Sequence, residues 1–290
     1  MLIIESVIKK YGKVNALNNI SYEQRSDSSI GIIGSNGAGK TTLCMAANGL
    51  TKIDHGDIIL NNYSVVNQTK KVREMTNLYT EELKMYDELT VKECIFFYKE
   101  LYKCTNIDDF IYALHINDFI HKKIRTLSTG MRKKVNLLIS IMNRPEFLFL
   151  DEPFSGLDPK AKNEFVNLLK EIKNIYNTQL IISSHDLYEL ESSVENVIIM
   201  DKGGIIESGN IHNLVKDYFD DSVIKIHFRS KIDLHRLYEI SNVENNIYEV
   251  SLKHKDVGKF FQLQSDDIQI VDISSQSYSL ENLYERVAQK

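Results

Sequence analysis

The sequence predicts an α/β fold built around a mostly parallel, buried sheet. Strand-like and helix-like segments alternate from residue 2 to about residue 216, which is typical of strands joined by crossover helices. Four short runs are continuously apolar, as in strands that are covered on both faces. They lie at residues 30–33, 147–150, 180–182 and 197–200. The first run also leads directly into a glycine-rich loop and a helix-like segment at residues 43–50.

The glycine-rich loop matches the phosphate-binding pattern G-x-x-x-x-G-K-[ST]. It reads Gly34, Ser35, Asn36, Gly37, Ala38, Gly39, Lys40 and Thr41. Glycines let successive backbone N–H groups point at an anion, and the following helix adds the positive end of its dipole. Lys40 supplies a mobile charge for the terminal phosphates, and the Thr41 hydroxyl is placed for Mg²⁺. We therefore predict that this loop and Thr42 bind a nucleotide, since a chance glycine-rich turn would lack the flanking strand and helix.

Two acidic residues close the second apolar run. Asp151 and Glu152 follow residues 147–150, about a hundred residues after the phosphate loop. Asp151 can hold Mg²⁺ directly or through water, while Glu152 can polarise the water that attacks the terminal phosphate. A surface acidic pair is the alternative, but acids that end a buried strand are poorly explained that way. The pair predicts an ATPase site.

Composition limits the classes of protein to which the chain can belong. With 290 residues and 43% hydrophobic content, the chain can form one large or two modest domains. A net charge of −5 gives no basic surplus, so no nucleic acid partner is expected. No run approaches the roughly 20 apolar residues of a membrane span, so we expect a cytoplasmic chain. The three cysteines lack metal-site spacing and predict reduced thiols, and Cys44 reads as a small core residue more readily than as a redox switch.

Helical patterns dominate residues 88–142, which predicts a helical insertion. Thr90 and Glu93 form a capping box that opens an amphipathic helix through about Tyr102, and a second helix covers residues 129–142. Beyond the acidic pair, Asp158 and a first-turn proline predict a helix through Ile175. Its apolar face contains Phe165, Leu168, Leu169, Ile172 and Ile175.

The C-terminal part has a different hydrophobic pattern, which predicts a small α+β accessory domain at residues 217–290. Apolar and polar residues alternate at 223–228, 247–252 and 268–273, as in half-buried strands. A helix-sized stretch lies near residues 231–238. We place the domain boundary at 216/217.

Four further segments, in their order along the chain, give the sequence a family resemblance. They are Tyr11 ahead of Lys13 and Val14; Leu127-Ser128-Thr129-Gly130-Met131; Ser155-Gly156-Leu157-Asp158; and Ser183-Ser184-His185. With the phosphate loop and the acidic pair, they resemble the adenine-stacking aromatic, signature, D-loop and switch histidine of ATP-binding cassette (ABC) transporter ATPase subunits. The resemblance covers roughly residues 2–215.

The resemblance implies a P-loop NTPase core with a mostly parallel sheet, an antiparallel β lobe and the helical insertion. It also implies that Tyr11 stacks on adenine, that Ser128 and Gly130 bind the γ-phosphate of a second subunit's ATP, and that His185 bonds the γ-phosphate region. ATP and Mg²⁺ are the implied cofactors. The implied partners are a second cassette subunit, with a homodimer favoured, and membrane permease subunits that hold the chain on the inner face of the membrane.

Three departures from the family pattern affect these expectations. Thr129 and Met131 stand where the signature usually has Gly and Gln, and Glu81 stands where a glutamine is common. A carboxylate at Glu81 can still ligate Mg²⁺ or its water, but it donates a hydrogen bond only when protonated. Similar variants occur in exporter cassettes, as does the Ser-Leu-Glu ending near Tyr278, although a serine helix cap explains that ending equally well.

Other functions compete with the transporter interpretation. One is a soluble ABC ATPase acting on ribosomes or DNA, although such relatives generally carry two cassettes or long coiled-coil insertions. Another is a non-hydrolysing, ATP-gated clamp on a membrane protein, which the altered signature would suit. A GTPase is disfavoured because the sequence lacks an Asn-Lys-x-Asp guanine-reading segment.

Overall fold

The structure, a computed structural model, describes residues 1–81, 83–219, 223–230, 240–244, 247–262, 268–276 and 278–288. Glu82 and the predicted helix near 231–238 lie outside these ranges. The chain divides into two compact units, Met1–Ile211 and His212–Gln289. The predicted boundary at 216/217 lies inside the helix Ile211–Tyr218, whose first residue marks this division.

The first unit contains ten strands and seven helices among the described residues. Its strands are β1 (Leu2–Tyr11), β2 (Val14–Gln24), β3 (Ile30–Gly34), β4 (His55–Leu60), β5 (Tyr63–Ser64), β6 (Thr76–Tyr79), β7 (Phe147–Asp151), β8 (Gln179–Ser184), β9 (Asn196–Asp201) and β10 (Gly204–Asn210). Its helices are α1 (Lys40–Ala47), α2 (Thr69–Met75), α3 (Val91–Tyr102), α4 (Asp108–Ala113), α5 (Thr129–Ile141), α6 (Pro159–Tyr176) and α7 (Leu187–Glu191). Short 3₁₀ turns lie at Ile116–Phe119 and Ile124–Thr126.

The central sheet has the order β10-β9-β3-β8-β7-β6. Its first pair, β10 and β9, is antiparallel, whereas the other neighbours run parallel. Strands β3 and β8 are buried along their whole length, which explains why the apolar residues in them, such as Leu180, Ile181 and Ile182, are consecutive rather than alternating. The predicted mostly parallel sheet is confirmed. Its carboxyl-terminal edge gathers the ends of β3, β7 and β8.

A second sheet of the first unit, in the order β2-β1-β4-β5, is the predicted antiparallel lobe. Inward residues of this lobe, of α1 and of the central sheet form one hydrophobic core. Leu17 of β2, Leu43 of α1 and Phe149 of β7 are members of that core. Because α1 begins directly after the phosphate loop, this core fixes the position of the loop.

The helical insertion is confirmed, and its helices begin where the caps predict. Thr90 Oγ1 accepts from the Glu93 N–H at 3.2 Å, and the Glu93 carboxylate accepts from the Thr90 N–H at 2.7 Å. Asp158 likewise caps α6, where it accepts from the Ala161 N–H at 2.9 Å. Ile175 lies on the same face of α6 as Leu168 and Ile172, as predicted, but it is 62% exposed. The helix is ending there, and the neighbouring Tyr176 packs on Phe110 of α4 instead.

Helix α8 (Ile211–Tyr218) leads into the second unit, which is an α+β structure as predicted. Its elements are β11 (Val223–Ser230), β12 (Ile240–Glu244), β13 (Ile247–Lys253), α9 (His254–Gln262), β14 (Ile268–Gln276) and α10 (Leu280–Ala288). The antiparallel sheet has the order β12-β13-β11-β14. Alternate side chains build a separate core that includes Ile226, Phe228, Val250 and Phe260. Ser279 accepts from the Asn282 N–H at 3.4 Å, so the tail motif contains a serine helix cap.

Within the described ranges, every helix is too short or too polar to cross a lipid bilayer. The apolar runs at residues 147–150 and 197–200 are buried strands of the central sheet.

We predict that Phe260→Ala lowers the free energy of unfolding of the second unit by roughly 3–5 kcal/mol, the usual cost of emptying a buried phenylalanine site. Phe260 is fully buried against Phe228 in that unit's core. Phe261→Ala is the matched control, because the side chain of Phe261 is only partly buried. Since the first unit has a core of its own, ATP binding should persist in both variants. Denaturant unfolding followed by tyrosine fluorescence, with ATP titration in parallel, tests this; equal destabilisation by the two variants would contradict it.

Candidate active site

The phosphate loop connects β3 to α1 and is confined on two sides. Gly37 and Gly39 have φ angles of +84° and +106°, which glycine adopts at little cost. A Cβ atom on Gly39 would lie 2.4 Å from the Ala16 carbonyl oxygen, and one on Gly34 would lie 2.4 Å from that of Met200. The backbone of the loop therefore lies directly against β2 and β9. The other predicted loop residues differ in exposure: Ser35 and Asn36 are exposed, Ala38 is buried and Thr42 is half-buried.

Lys40 is held inside the curve of this loop. Its side chain is 6% exposed, and Nζ donates to the Gly34 carbonyl at 2.8 Å. Nζ also lies 3.5 Å from Glu152 Oε1. A buried ammonium group has a strong attraction for anions because little water competes for it. Lys40 thus provides the positive charge that phosphate groups need at this position.

Thr41 and Asp151 meet at the same edge of the sheet. Thr41 Oγ1 donates to Asp151 Oδ2 at 2.8 Å, and Ser183 Oγ donates to Asp151 Oδ1 at 2.5 Å. Asp151 at the end of β7 lies beside Ser183 of β8 in the parallel register. Magnesium in nucleotide sites takes one or two protein ligands and completes its shell with water and phosphate oxygens. A hydroxyl and a carboxylate oxygen this close fit such an ion, although the described residues contain no cluster of three or more side chains that would hold a metal alone.

Glu152 and His185 form a second pair next to Asp151. His185 Nδ1 lies 2.7 Å from Glu152 Oε2, and the His185 N–H donates to the same oxygen at 3.3 Å. An ionised carboxylate only accepts, so Nδ1 carries the proton in this contact. Glu152 has a φ of +49°, which is rare for a residue with a side chain, and its N–H is held by Ser183. Such a strained backbone is typical of functional positions.

Cys44 lies beneath this cluster on α1. The thiol is fully buried, and burial raises its pKa well above the usual value, with the nearby Asp151 and Glu152 carboxylates adding to the rise. The thiol therefore stays protonated at neutral pH and is poorly reactive. The prediction that Cys44 is a small core residue is confirmed.

Glu81 lies just beyond β6, and its carboxylate contacts a lysine. Lys133 Nζ of α5 donates to Glu81 Oε1 at 2.8 Å and to the Pro153 carbonyl at 3.0 Å. Within the described part of the chain, no hydrogen bond or ion pair joins Glu81 to Thr41 or Asp151. The role of Glu81 as a magnesium ligand stays a prediction.

The signature segment opens α5 and lines a groove separate from the phosphate loop. Ser128 is the N-cap of α5 and accepts from the Met131 N–H at 3.3 Å. The groove has a volume of about 610 Å³, and its walls include Ser128, Thr129, Gly130, Leu157 and Asp158. It therefore combines signature and D-loop residues. Thr129 is accommodated there, since its methyl group lies 3.9 Å from a Cβ built on Gly156.

Tyr11 ends β1 and belongs to the antiparallel lobe. Its ring is 49% exposed, its hydroxyl lies 3.3 Å from Thr51 Oγ1, and the Lys9 ammonium lies 5.0 Å from the ring centre. An exposed ring that is anchored through its hydroxyl suits stacking against a flat base. Stacking of Tyr11 on adenine stays a prediction.

Three residues near the site were not predicted from the sequence. Ser183 donates to the Asp151 carboxylate and accepts from the Glu152 N–H, and its sequence signal was a serine that directly follows the apolar run at residues 180–182. Lys162 of α6 pairs with Asp186, next to His185, and so joins the helix after the D-loop to the histidine segment. Lys133 was missed because a lysine on an amphipathic helix usually faces solvent.

Comparisons with known proteins agree with this geometry. The sequence profile of the family described as ABC transporter matches residues 17–155. An uncharacterized ABC transporter ATP-binding protein of Bacillus subtilis, YdbJ, is 32% identical over 208 residues, which cover 71% of this chain and 68% of the relative. The chain belongs to the family of ABC transporter ATP-binding proteins.

One further relative and one solved structure are similar to most of the chain. The linearmycin resistance ATP-binding protein LnrL of Bacillus subtilis is 29% identical over 232 residues, covering 78% of this chain and 74% of the relative. The dimeric structure of MJ0796, a bacterial ABC transporter cassette, aligns with a TM-score of 0.65 at 20% identity over 72% of this chain and 98% of the other. The P-loop NTPase cassette fold is thereby confirmed. The chain is an ATP-binding subunit and an ATPase of the ABC family.

We predict that Gly39→Ala destabilises the cassette more than Gly37→Ala does. Both glycines have positive φ angles, so an alanine at either position costs about 1–2 kcal/mol of conformational strain. Only at Gly39 would the new methyl group also collide with backbone, at the Ala16 carbonyl, whereas a Cβ at Gly37 meets nothing within 4 Å. Denaturant unfolding without nucleotide measures the difference. Equal stabilities would contradict the close packing of the loop on β2.

Proposed function

We propose that the chain is the ATPase subunit of a membrane exporter and works as a homodimer that closes around two Mg²⁺-ATP molecules. The observation that carries the dimer is the presence of two half-sites on one cassette. Lys40, Thr41 and Glu152 surround the phosphate loop, whereas Ser128 and Gly130 line a different groove. No described hydrogen bond or ion pair joins these two sets. A two-fold, head-to-tail pairing would complete both half-sites at once.

The residues around the phosphate loop have distinct proposed roles. The loop N–H groups, Lys40 and Thr42 bind the phosphates, while Thr41 and Asp151 hold Mg²⁺. Bound Mg²⁺ would neutralise charge on the β- and γ-phosphates. Glu152 accepts a proton from the attacking water, and the His185 Nδ1–H, 2.7 Å away, keeps the Glu152 carboxylate oriented. When the ring is protonated at both nitrogens, the Nε2–H of His185 donates to the γ-phosphate.

The second half-site binds the same nucleotide from across the dimer. The free N–H groups at the start of α5 and the Ser128 hydroxyl form an anion site for the γ-phosphate. Tyr11 stacks on the adenine of the ATP held by its own phosphate loop. ATP therefore stabilises the closed dimer, and hydrolysis removes that stabilisation because the closed state binds ATP more tightly than its products.

Coupling to a membrane permease is supported by an exposed apolar surface in the helical insertion. Phe96, Phe97 and Leu101 of α3 are 62%, 45% and 60% exposed. Contiguous apolar residues on a surface mark interaction sites. The location is then the inner face of the membrane, through the permease. Export as the direction is supported by the relative named for linearmycin resistance, because removal of a toxic compound is one physical route to resistance.

We predict that Glu152→Gln binds ATP as the unaltered chain does but loses at least about a hundredfold in turnover, the lower end of the range for a lost general base. Without hydrolysis, the two-ATP dimer should persist. Phosphate release measures turnover, and light scattering at saturating Mg²⁺-ATP measures the dimer.

Two variants serve as controls for this experiment. Lys40→Ala should lose ATP affinity and remain monomeric, since it removes the charge inside the loop. Glu74→Gln neutralises an exposed carboxylate on α2 and should behave as the unaltered chain. Full hydrolysis by Glu152→Gln would overturn the assignment of the base, and a monomer at saturating ATP would overturn the dimer.

We predict that the tagged chain co-purifies with an integral membrane protein from detergent-solubilised membranes, and that Phe96→Glu loses this partner while ATP binding is kept. Ile175→Glu is the matched control, because Ile175 is exposed to the same 62% but lies at the end of α6. Mass spectrometry of the bound fraction identifies the partner. Recovery with ribosomes or nucleic acid, or equal loss in both variants, would contradict the permease proposal.

A further inference from the structure

Lys133 is a buried, charged side chain that takes no part in the proposed nucleotide site. The side chain is 6% exposed, and a buried ammonium group is tolerated only when acceptors surround it. The acceptors here are Glu81 Oε1 at 2.8 Å and the Pro153 carbonyl oxygen at 3.0 Å. One lysine thus bonds two loops that are far apart in the sequence.

The two loops bonded by Lys133 leave neighbouring strands of the central sheet, since Tyr79 of β6 pairs with Leu150 of β7. Pro153 directly follows Glu152, whose backbone has the unusual φ of +49°. Glu81 follows β6 and is 56% exposed, so its loop lies at the surface. A displacement of the Glu81 loop would therefore pull on Lys133, and Lys133 would in turn move the peptide next to Glu152.

Two further bonds attach the same face of α5 to β6 and its loop. Asn136 Nδ2 donates to the Thr80 carbonyl at 2.8 Å, and Asn77 Nδ2 donates to the Ser140 carbonyl at 2.8 Å. Residues 133, 136 and 140 follow the i, i+3, i+7 spacing of one helix face. The helix α5 begins at the signature segment. These bonds therefore attach the signature helix firmly to β6 and to the start of the Glu81 loop. Lys133 alone among these three α5 contacts also bonds a backbone carbonyl next to Glu152, that of Pro153.

We propose that Lys133 is a positioning residue, which couples the Glu81 loop and the signature helix to the backbone of Glu152. Through its two bonds, Lys133 keeps the Glu152 carboxylate in its working orientation when the Glu81 loop is in place. This inference rests on the proposed role of Glu152 as the base. It gives Glu81 a role as the surface partner of Lys133.

The test is a double-mutant cycle on Lys133 and Glu81, read as kcat and KM for ATP. Lys133→Gln should lower kcat on the order of tenfold or more, since small misplacements of reacting groups have effects of this size. KM for ATP should change less than about twofold, because no phosphate-loop residue is altered. Glu81→Gln should lower kcat in the same way. In the double variant the two amides can bond each other, so kcat should recover above that of Lys133→Gln alone, which is strong non-additivity.

A purely structural lysine would give another result. Stability would fall while the kcat of the folded fraction stayed unchanged, or the two substitutions would lower kcat additively; either outcome overturns the proposal. The pair Lys71 and Glu74 on α2 is the control cycle, since both side chains are exposed, and its coupling in kcat should be absent.

Two other outcomes need to be distinguished from failure of the proposal: Lys133→Gln does not fold, or Glu152 is not the base. If Lys133→Gln does not fold, Glu81→Gln decides alone, because its side chain is 56% exposed: an unchanged kcat overturns the proposal. Glu152→Gln is measured in the same assay. If Glu152→Gln hydrolyses ATP fully, the assignment of the base fails, whereas a normal kcat in Lys133→Gln beside an inactive Glu152→Gln overturns the coupling only.

Discussion

The parallel pairing of β3 with β8 and of β8 with β7 is the constraint on which the site depends. Their register sets Asp151 beside Ser183 and Ile33 beside Ser184, so the three strand ends open at one edge. The phosphate loop leaves from the first strand, the acids from the third and the histidine from the middle one. Without this register, Thr41 and Asp151, which are distant in sequence, would not share a hydrogen bond. The chemistry is thus a consequence of sheet order.

Burial and backbone strain fix the position and strengthen the charge of the groups that the sheet brings together. Gly39 allows the loop to lie against β2 with no room for a methyl group, and Glu152 holds a backbone conformation that only its surroundings maintain. Lys40 is buried beside Glu152, where water screens its charge poorly. The same burial raises the pKa of Cys44, so the thiol beneath the cluster stays neutral and adds no competing anion. A rigid, partly dry pocket of this kind is suited to binding phosphate.

The sequence predicted those parts of the fold and site that depend on local physics. Apolar runs identified the central strands, the Thr90 capping box located the start of α3, and the phosphate-loop pattern located Lys40 and Thr41. The sequence did not predict features that depend on tertiary contacts, such as the exposure of Ile175 and the roles of Ser183 and Lys133. Ile175 fits the helical period but lies where α6 leaves the core, and nothing local distinguishes it from Ile172. Ser183 bonds the carboxylate of Asp151, 32 residues away, and Lys133 bonds that of Glu81, 52 residues away; a single sequence cannot identify such pairs.

Glu81 illustrates how a departure from a family pattern can be compensated at a distance. The sequence shows a carboxylate where an amide is common, and only the structure shows that Lys133 supplies the matching charge. The pair is asymmetric, because Glu81 is largely hydrated whereas Lys133 is buried. Separating them therefore costs mainly through the lysine, which would lose its charged partner. A cavity of about 230 Å³ lined by Glu81, Lys133 and Asn136 gives water a route to the ammonium group. Water in this cavity would replace the carboxylate if the Glu81 loop were displaced, as the coupling proposed for Lys133 requires.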